Sequence, residues 1–270
     1  MNGTLVPDGQ ARVPVTDHGL TTGDGVFEAL KVTGGAPFAL TRHLARLCAS
    51  AAGLGLPEPD LDQIRAGVDA VLDGAARPDR ARIRITVTAG ESALGSQRTA
   101  AAPATIIQLG VLHDAAPTCD VIMFPWPRNE RGALAGIKTT SYAENVFALS
   151  YAQQQGGAEA IFGNLAGNLC EGSGTNVFVV AGGRLVTPPL SAGCLAGVTR
   201  GLVIEWAGAV EENLPLAALA EARKAFLTGT SRDVQPIRSV DGVLLPAAPG
   251  PVTRKAADIF AERSAEDLDP

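Results

Sequence analysis

Apolar positions along this chain alternate between the two-residue spacing of a strand and the three- and four-residue spacing of a helix. Residues 25–32 (GVFEALKV) read as a strand. Thr41 then stands as a helix cap, and Leu44, Leu47, Cys48 and Ala51 recur at i, i+3, i+4 and i+7 until Gly53 and Gly55 end the run. Asp60 and Gln63 form a capping box for a second helix, whose apolar stripe is Ile64, Val68, Val71 and Leu72 and whose stop is Gly74. Strand runs at 81–89 (ARIRITVTA) and 104–112 follow, joined by the loop GESALGSQR. These elements make an α+β unit over residues 1–112.

A short polar stretch with a proline, 113–118 (HDAAPT), is the natural linker. Beyond it, 119–270 reads as a second, larger unit. It opens with a strand at 120–124, followed by a Pro/Arg-rich loop, PWPRNERG. Ser141 and Glu144 then box the start of a helix through about residue 155. Strands are expected near 158–162, 176–180 and 184–187, the last two joined by a tight Ala181-Gly-Gly turn. A helix at 198–207, a short one at 215–222, strands at 225–228 and 234–238 and a terminal helix from Thr253 complete the α/β pattern.

Composition narrows the function classes. With 46% hydrophobic residues in 270, the chain can bury a sizeable core without disulfides or metal. Its net charge of −6 and lack of long basic runs argue against nucleic acid or anionic membranes as partners. No apolar run approaches the roughly 20 residues of a spanning helix, and the first ten residues lack the basic and apolar regions of a signal peptide. The cysteines (Cys48, Cys119, Cys170, Cys194) and histidines (His18, His43, His113) are scattered, so neither a disulfide framework nor a metal site is expected. A reduced, cytoplasmic, metal-free protein is the expectation.

Four features carry chemistry. Lysine is scarce, at four residues against 18 arginines, and only Lys138, in LAGIKTTSY, lies among uncharged neighbours in a loop before a capped helix. A lysine that forms an imine must spend time deprotonated, which desolvation and distance from carboxylates encourage; an ordinary surface lysine fits the same context. Residues 168–180 (NLCEGSGTNVFVV) set the lone carboxylate Glu171 before a small-residue loop that a planar ligand can approach, or that is only a solvated hairpin. CLAGVT, residues 194–199, opens a helix whose free N–H groups and Thr199 hydroxyl suit a phosphate, and TGTS, residues 228–231, is a second hydroxyl cluster. Arg46, beside core leucines, fits either a snorkelling cover or a bidentate phosphate ligand. Together these features ask for a ligand with an aldehyde, a ring nitrogen and a phosphate, which describes pyridoxal 5′-phosphate (PLP).

The segments GDGVFEAL (23–30), HLARL (43–47), IKTTSYAENV (137–146), EGSGTNVFVV (171–180), LAGVTR (195–200) and TGTSRDVQPI (228–237) resemble the class IV, fold-type IV PLP-dependent enzymes. That group holds branched-chain and D-amino-acid aminotransferases and 4-amino-4-deoxychorismate lyases. The motifs run in the family's order, and the 33-residue interval from Lys138 to Glu171 fits it. The resemblance implies a small N-terminal α/β domain, a larger C-terminal pseudo-barrel domain and a homodimer.

By the same resemblance, Lys138 is the Schiff-base lysine and proton shuttle, and Glu171 pairs with the pyridine nitrogen. Arg46 grips the phosphate, helped by Gly197, Val198, Thr199, Gly229 and Thr230. Tyr142 serves the cofactor's 3′-oxygen, and Asn176 braces the Glu171 loop. Phe27, Arg84 and Arg98 are the candidate substrate-pocket residues.

The implied reaction is amino transfer between an amino acid or amine and a 2-keto acid. The alternative is the lyase reaction that yields pyruvate and 4-aminobenzoate, and a third reading is a non-catalytic protein of the same fold, against which the set Lys138, Glu171 and Arg46 argues. Three departures bear on the choice. The loop GESALGSQRTAAA has Arg98 but no histidine two residues on, and Phe27 stands where D-amino-acid enzymes have tyrosine. The strand RIRIT offers Arg84 without the tyrosine that precedes it in branched-chain enzymes. Many of the lyases carry threonine where Glu28 sits.

Overall fold

The computed structural model describes residues 1–7 and 9–270. The chain divides into two compact units, one of Met1–His113, Ile137–Tyr142 and Leu268–Pro270 and one of Asp114–Gly136 and Ala143–Asp267. The sequence reading groups 137–142 and 268–270 with the C-terminal part, whereas the backbone places both stretches in the first unit.

In the first unit the chain runs α1 (His18–Thr21), β1 (Gly25–Thr33), β2 (Ala36–Pro37), α2 (Leu40–Leu54), α3 (Leu61–Gly74), β3 (Arg80–Thr88) and β4 (Ala104–Gly110). The strands form an antiparallel sheet in the order β2-β1-β3-β4, with β1 and β3 paired from Gly25↔Thr88 to Thr33↔Arg80. Because strand side chains alternate faces, Val26, Leu30 and Val32 turn with Ile83, Ile85 and Val87 toward one side, where they pack with Leu44, Leu47 and Ala51 of α2 and Ile64, Val68 and Leu72 of α3. Cys48, read as part of the α2 stripe, is only half-buried.

The cap of α3 is as read, with Asp60 Oδ1 accepting from the Gln63 N–H at 2.9 Å. The cap of α2 is not. The helix begins at Leu40 after Ala39 in the left-handed region (φ 53°), and Thr41 lies inside its first turn. There the Thr41 N–H and hydroxyl both donate to the Asp269 carboxylate, at 2.8 and 2.6 Å. An anion from the chain's far end thus satisfies one of the orphan donors and meets the positive end of the helix dipole.

In the second unit the order is β5 (Cys119–Met123), α4 (Ala143–Gln154), β6 (Glu159–Gly163), β7 (Leu169–Gly172), β8 (Asn176–Ala181), β9 (Arg184–Thr187), α5 (Val198–Ala207), β10 (Val210–Glu211), β11 (Ala225–Gly229), β12 (Asp233–Val240), β13 (Val243–Leu244) and α6 (Pro251–Glu266). The mixed sheet runs β10-β9-β8-β11-β12-β5-β6-β7, with β13 added on β12. β7 ends that path and β8 is third from its other end, yet only Ser173, Gly174 and Thr175 join them. So short a link reaches across only if the sheet curls back on itself. Its interior holds Val121, Ile161, Leu169, Val177, Val179, Leu227 and Ile237.

Three local expectations change here. The 215–222 helix is only a 3₁₀ turn, Leu216–Ala218. Glu171, expected beside a loop, lies on β7, a strand too short to show alternation. The residues read as a capping box for α4 have other partners: Ser141 donates its hydroxyl to the Gly23 carbonyl at 3.0 Å, and Glu144 takes Arg128 at 2.6 Å. Among the described residues, no helix is long and apolar enough to cross a membrane.

Candidate active site

Lys138 sits on an extended segment that adds to β1. The Phe27 N–H donates to the Lys138 carbonyl at 2.9 Å, the Thr140 N–H donates to the Gly25 carbonyl at 2.8 Å, and Val26 bridges Thr139. The hydroxyls of Thr139 and Thr140 hold the Gly25 and Gly23 carbonyls at 3.0 and 2.8 Å, and the Lys138 N–H reaches Ser50 Oγ on α2 at 3.2 Å. The uncharged residues read from the sequence as a desolvated context are therefore also backbone clamps. With both flanks fixed, the lysine's backbone has little freedom.

This register puts Lys138 and Phe27 on one face of the sheet, with Thr86 and Arg84 of β3. Lys138 Nζ lies over the Phe27 ring, 4.4 Å from its centroid, and 5.9 Å from that of Tyr142. The two rings meet edge to face at 5.3 Å. The Arg84 guanidinium lies 3.8 Å from the Phe27 centroid, and its Nε donates to Thr86 Oγ1 at 3.1 Å. Burial, and then the charge of Arg82, hold the Arg84 pKa below its ordinary value. Among the described residues Arg84 forms no salt bridge, so it presents a half-buried cation near the lysine. Arg98 is placed differently: it grips Asp24 through Nε and Nη2 at 2.7 and 2.5 Å and the Leu54 and Gly55 carbonyls at 2.9 and 2.8 Å.

On the opposite, helix-covered face of β1 lies Glu28, with 0% of its surface exposed. Arg46 Nε donates to its Oε1 at 2.8 Å and Arg46 Nη2 to its Oε2 at 2.7 Å, while His43 Nδ1 lies 2.7 Å from Oε2. Burial opposes ionisation of Glu28, but Arg46 and His43 prevail and bring its pKa down to about 2. Burial also lowers the His43 pKa. Arg46 is thus not a loose cover residue but one arm of a buried ion pair.

In the second unit Glu171, buried on β7, pairs in register with Phe162 of β6. Its Oε2 accepts from the Leu195 N–H at 2.8 Å, and the Arg128 Nη2 lies 3.4 Å from its Oε1. Arg128 stacks 4.1 Å over the Phe162 ring and donates through Nη1 to Glu144 at 2.6 Å. Asn176 Nδ2 donates to the Leu195 carbonyl at 2.9 Å, so Leu195 links Asn176 to Glu171. Glu159, buried behind the 173–175 loop, accepts from the Ser173 hydroxyl and from the Gly174 N–H at 3.2 Å and pairs with Arg232 at 3.1 Å.

The same region is shaped for an anion. Gly197 is the N-cap of α5 and makes no side-chain cap bond, and a Cβ there would run into the Asn176 amide oxygen. The first-turn N–H groups of that helix, at Val198 and Thr199, have no acceptor within the helix. Thr228 precedes Gly229 and Thr230 and pairs across the sheet with Asn176. Among the described residues its hydroxyl is buried without a partner, as is that of Thr175. A glycine that a side chain would displace, helix N–H groups and two orphaned hydroxyls are a donor set that fits a phosphate.

Of the residues singled out from sequence, the first unit gathers Lys138, Tyr142, Phe27 and Arg84, and separately Arg46; the second brings together Glu171, Asn176 and Gly197. Glu28, Arg128, Thr175 and Thr228 were not foreseen as site residues. Thr228, inside the TGTS cluster, and Thr175, inside the small-residue loop after Glu171, carried a sequence signal; Glu28 and Arg128 did not.

The family described as Amino-transferase class IV matches residues 25–240. A putative branched-chain-amino-acid aminotransferase of Methanocaldococcus jannaschii is 32% identical over 97% of this chain and 94% of its own length. A bifunctional aminodeoxychorismate lyase / D-amino acid transaminase of Mycobacterium tuberculosis is 29% identical over 97% of this chain and 95% of its own. Among solved structures, a hypothetical aminotransferase from Mycobacterium tuberculosis with bound α-ketoglutarate and PMP superposes with a TM-score of 0.84 at 26% identity, over 96% of each chain.

Proposed function

The chain belongs to the class IV aminotransferases, and we propose that Lys138 is the residue through which it moves nitrogen between an amino acid and a 2-keto acid. The cofactor of this family is PLP, which supplies an aldehyde that condenses with amines and a pyridine ring that takes up the electron pair left when a Cα–H bond breaks. The observation that carries the assignment is the clamping of Lys138 on both flanks, with Nζ held over Phe27. Such an amine would hold the aldehyde and would act as the base at the substrate Cα.

The other roles follow from the donor sets. Glu171, fixed by the Leu195 N–H and next to Arg128, is the carboxylate that holds a proton on the ring nitrogen. Arg46, Gly197, Val198, Thr199, Gly229 and Thr230 are the phosphate set, and Tyr142 is the 3′-oxygen partner. Arg84, a half-buried guanidinium that pairs with no carboxylate among the described residues and shares a face with Lys138, suits the substrate carboxylate. Arg98 is engaged with Asp24 and is the weaker candidate. The exposed apolar residues Trp126, Val146 and Phe147 support a homodimer, and four free thiols suit the reducing cytoplasm.

The test is to offer the holoenzyme a panel of L- and D-amino acids, (R)-amines and aminodeoxychorismate. Keto-acid release with nitrogen passing to a 2-keto acid is the expected result. Release of 4-aminobenzoate and pyruvate without transfer would assign the lyase reaction instead.

A further inference from the structure

We propose that Glu28 is the positioning residue for phosphate recognition: its buried carboxylate sets the plane and direction of the Arg46 guanidinium, and cofactor affinity depends on a group that never touches the cofactor. The proposal rests on the reading of Arg46 as a phosphate ligand.

A carboxylate in the middle of an apolar strand is costly to bury unless it is fully paired. Glu28, fully buried on β1 between Phe27 and Ala29, is paired by two residues of one helix. His43 and Arg46 lie three apart on α2 and so share a face. Leu44 and Leu47 beside them are locked in the core, which fixes the helix against the strand. Arg46 meets Glu28 along one edge of its planar fork, Nε to Oε1 at 2.8 Å and Nη2 to Oε2 at 2.7 Å. Two bonds along one edge fix both the plane and the roll of a guanidinium, which an arginine on a flexible stem otherwise settles only when a ligand arrives. His43, 2.7 Å from the same Oε2, keeps the carboxylate from turning.

Two effects of Glu28 oppose each other, which gives the proposal a sign. Its negative charge partly cancels that of Arg46 and weakens attraction for phosphate. Its geometry aligns the guanidinium and strengthens binding. Bidentate recognition of phosphate depends on orientation, so alignment is the larger effect. In Glu28→Gln the charge is gone, and the amide NH₂ would confront the arginine N–H groups or His43, turning the fork away.

The experiment uses the full-length apoenzyme and two aldehydes, PLP and pyridoxal, which differ by the phosphate. Their affinity ratio reports phosphate recognition and cancels general damage to the site. In Arg46→Ala the ratio should fall about 10- to 150-fold, the scale of a charge-assisted hydrogen bond. In Glu28→Gln it should fall about 10-fold or more on the same scale, and Glu28→Gln with Arg46→Ala should be no worse than Arg46→Ala alone. A ratio unchanged or raised in Glu28→Gln, while Arg46→Ala lowers it, overturns the proposal. An unchanged ratio in Arg46→Ala instead removes the assignment of Arg46, and the proposal with it. If Glu28→Gln does not fold, Glu28→Asp decides: it keeps the charge but draws the carboxylate back by one carbon, so the ratio must fall there too, and an unchanged ratio overturns the proposal.

Discussion

At the scale of single residues, the proposed chemistry falls to one set of side chains and their positioning to another. Lys138→Ala should fold, since the clamps on its flanks come from backbone groups and from Ser50, Thr139 and Thr140. It should hold PLP without a covalent bond and lose turnover; borohydride reduction and peptide mapping of the parent enzyme should find the label on Lys138, and a label on Lys31, Lys224 or Lys255 would reassign the role. Glu171→Gln keeps the shape on β7 and the acceptor for the Leu195 N–H, but loses the charge that is proposed to hold the ring proton. The catalytic rate should drop roughly 10²- to 10³-fold, the scale of a lost preorganised electrostatic contact, with PLP content near that of the parent. Loss of cofactor with an unchanged rate per bound PLP would make Glu171 a loop residue. Arg84→Gln should raise KM for the amino acid about 10- to 150-fold, the worth of a charge-assisted hydrogen bond, and leave PLP binding alone. An unchanged KM would leave Arg84 as packing for Phe27.

At the scale of elements, α5 depends on a glycine at its first corner. A Cβ on Gly197 meets Asn176, whose amide holds the Leu195 carbonyl while the Leu195 N–H holds Glu171. Gly197→Ala therefore disturbs the carboxylate and the helix N-terminus together. PLP affinity should weaken about 5- to 150-fold, in line with the roughly 1–3 kcal/mol of overpacking strain, and titration of the apoenzyme checks it; affinity equal to the parent would show that Asn176 yields without cost.

The strands and helices behind this arrangement were legible wherever periodicity ran long enough: β1, β3, α3 and α5 stand close to where the pattern puts them. What escaped was short or distant. β7 has four residues and no alternation, so Glu171 reads as a loop residue. The partner of Thr41 is Asp269, 228 positions away, and no local rule can find it. Lys138 stood out through its uncharged neighbours. Glu28 read only as a departure from the lyases, because a strand pattern does not tell that its one carboxylate will meet two residues of the next helix.

At the scale of the whole molecule, the two units carry buried ionisable groups with opposite responses to acid. In the first, the pKa of His43 is lowered from 6.5 by burial and that of Glu28 from 4.5 to about 2 by Arg46 and His43 against burial. Asp24 is lowered too, chiefly by its hydrogen bond from Arg98. A group whose folded pKa is depressed binds more protons unfolded, so its stabilisation is present above the unfolded value and lost as pH falls toward the folded one. The first unit therefore weakens in two stages, below 6.5 as unfolded His43 takes up a proton, then from 4.5 toward 2 through Glu28.

In the second unit the pKa of Glu159 is raised from 4.5 because burial outweighs Arg232 and the loop hydrogen bonds. Its sign is reversed: stability is fully present below 4.5 and lost as pH rises through the folded value. The Asp120–Arg238 pair, lowered but at the surface, adds little in salt. Both tryptophans, Trp126 and Trp206, lie in the second unit, so tryptophan fluorescence does not report on the first. Amide hydrogen exchange, corrected for the intrinsic pH dependence of exchange, sees both. On acidification from 7 to 4, peptides of β1 and α2 should lose opening free energy before peptides of β6 and β7. His43→Gln should flatten the part of that loss just below 6.5, the pH where the unfolded imidazole charges, without changing the later part. If β6 and β7 open first, the buried charges of the first unit do not control its acid response.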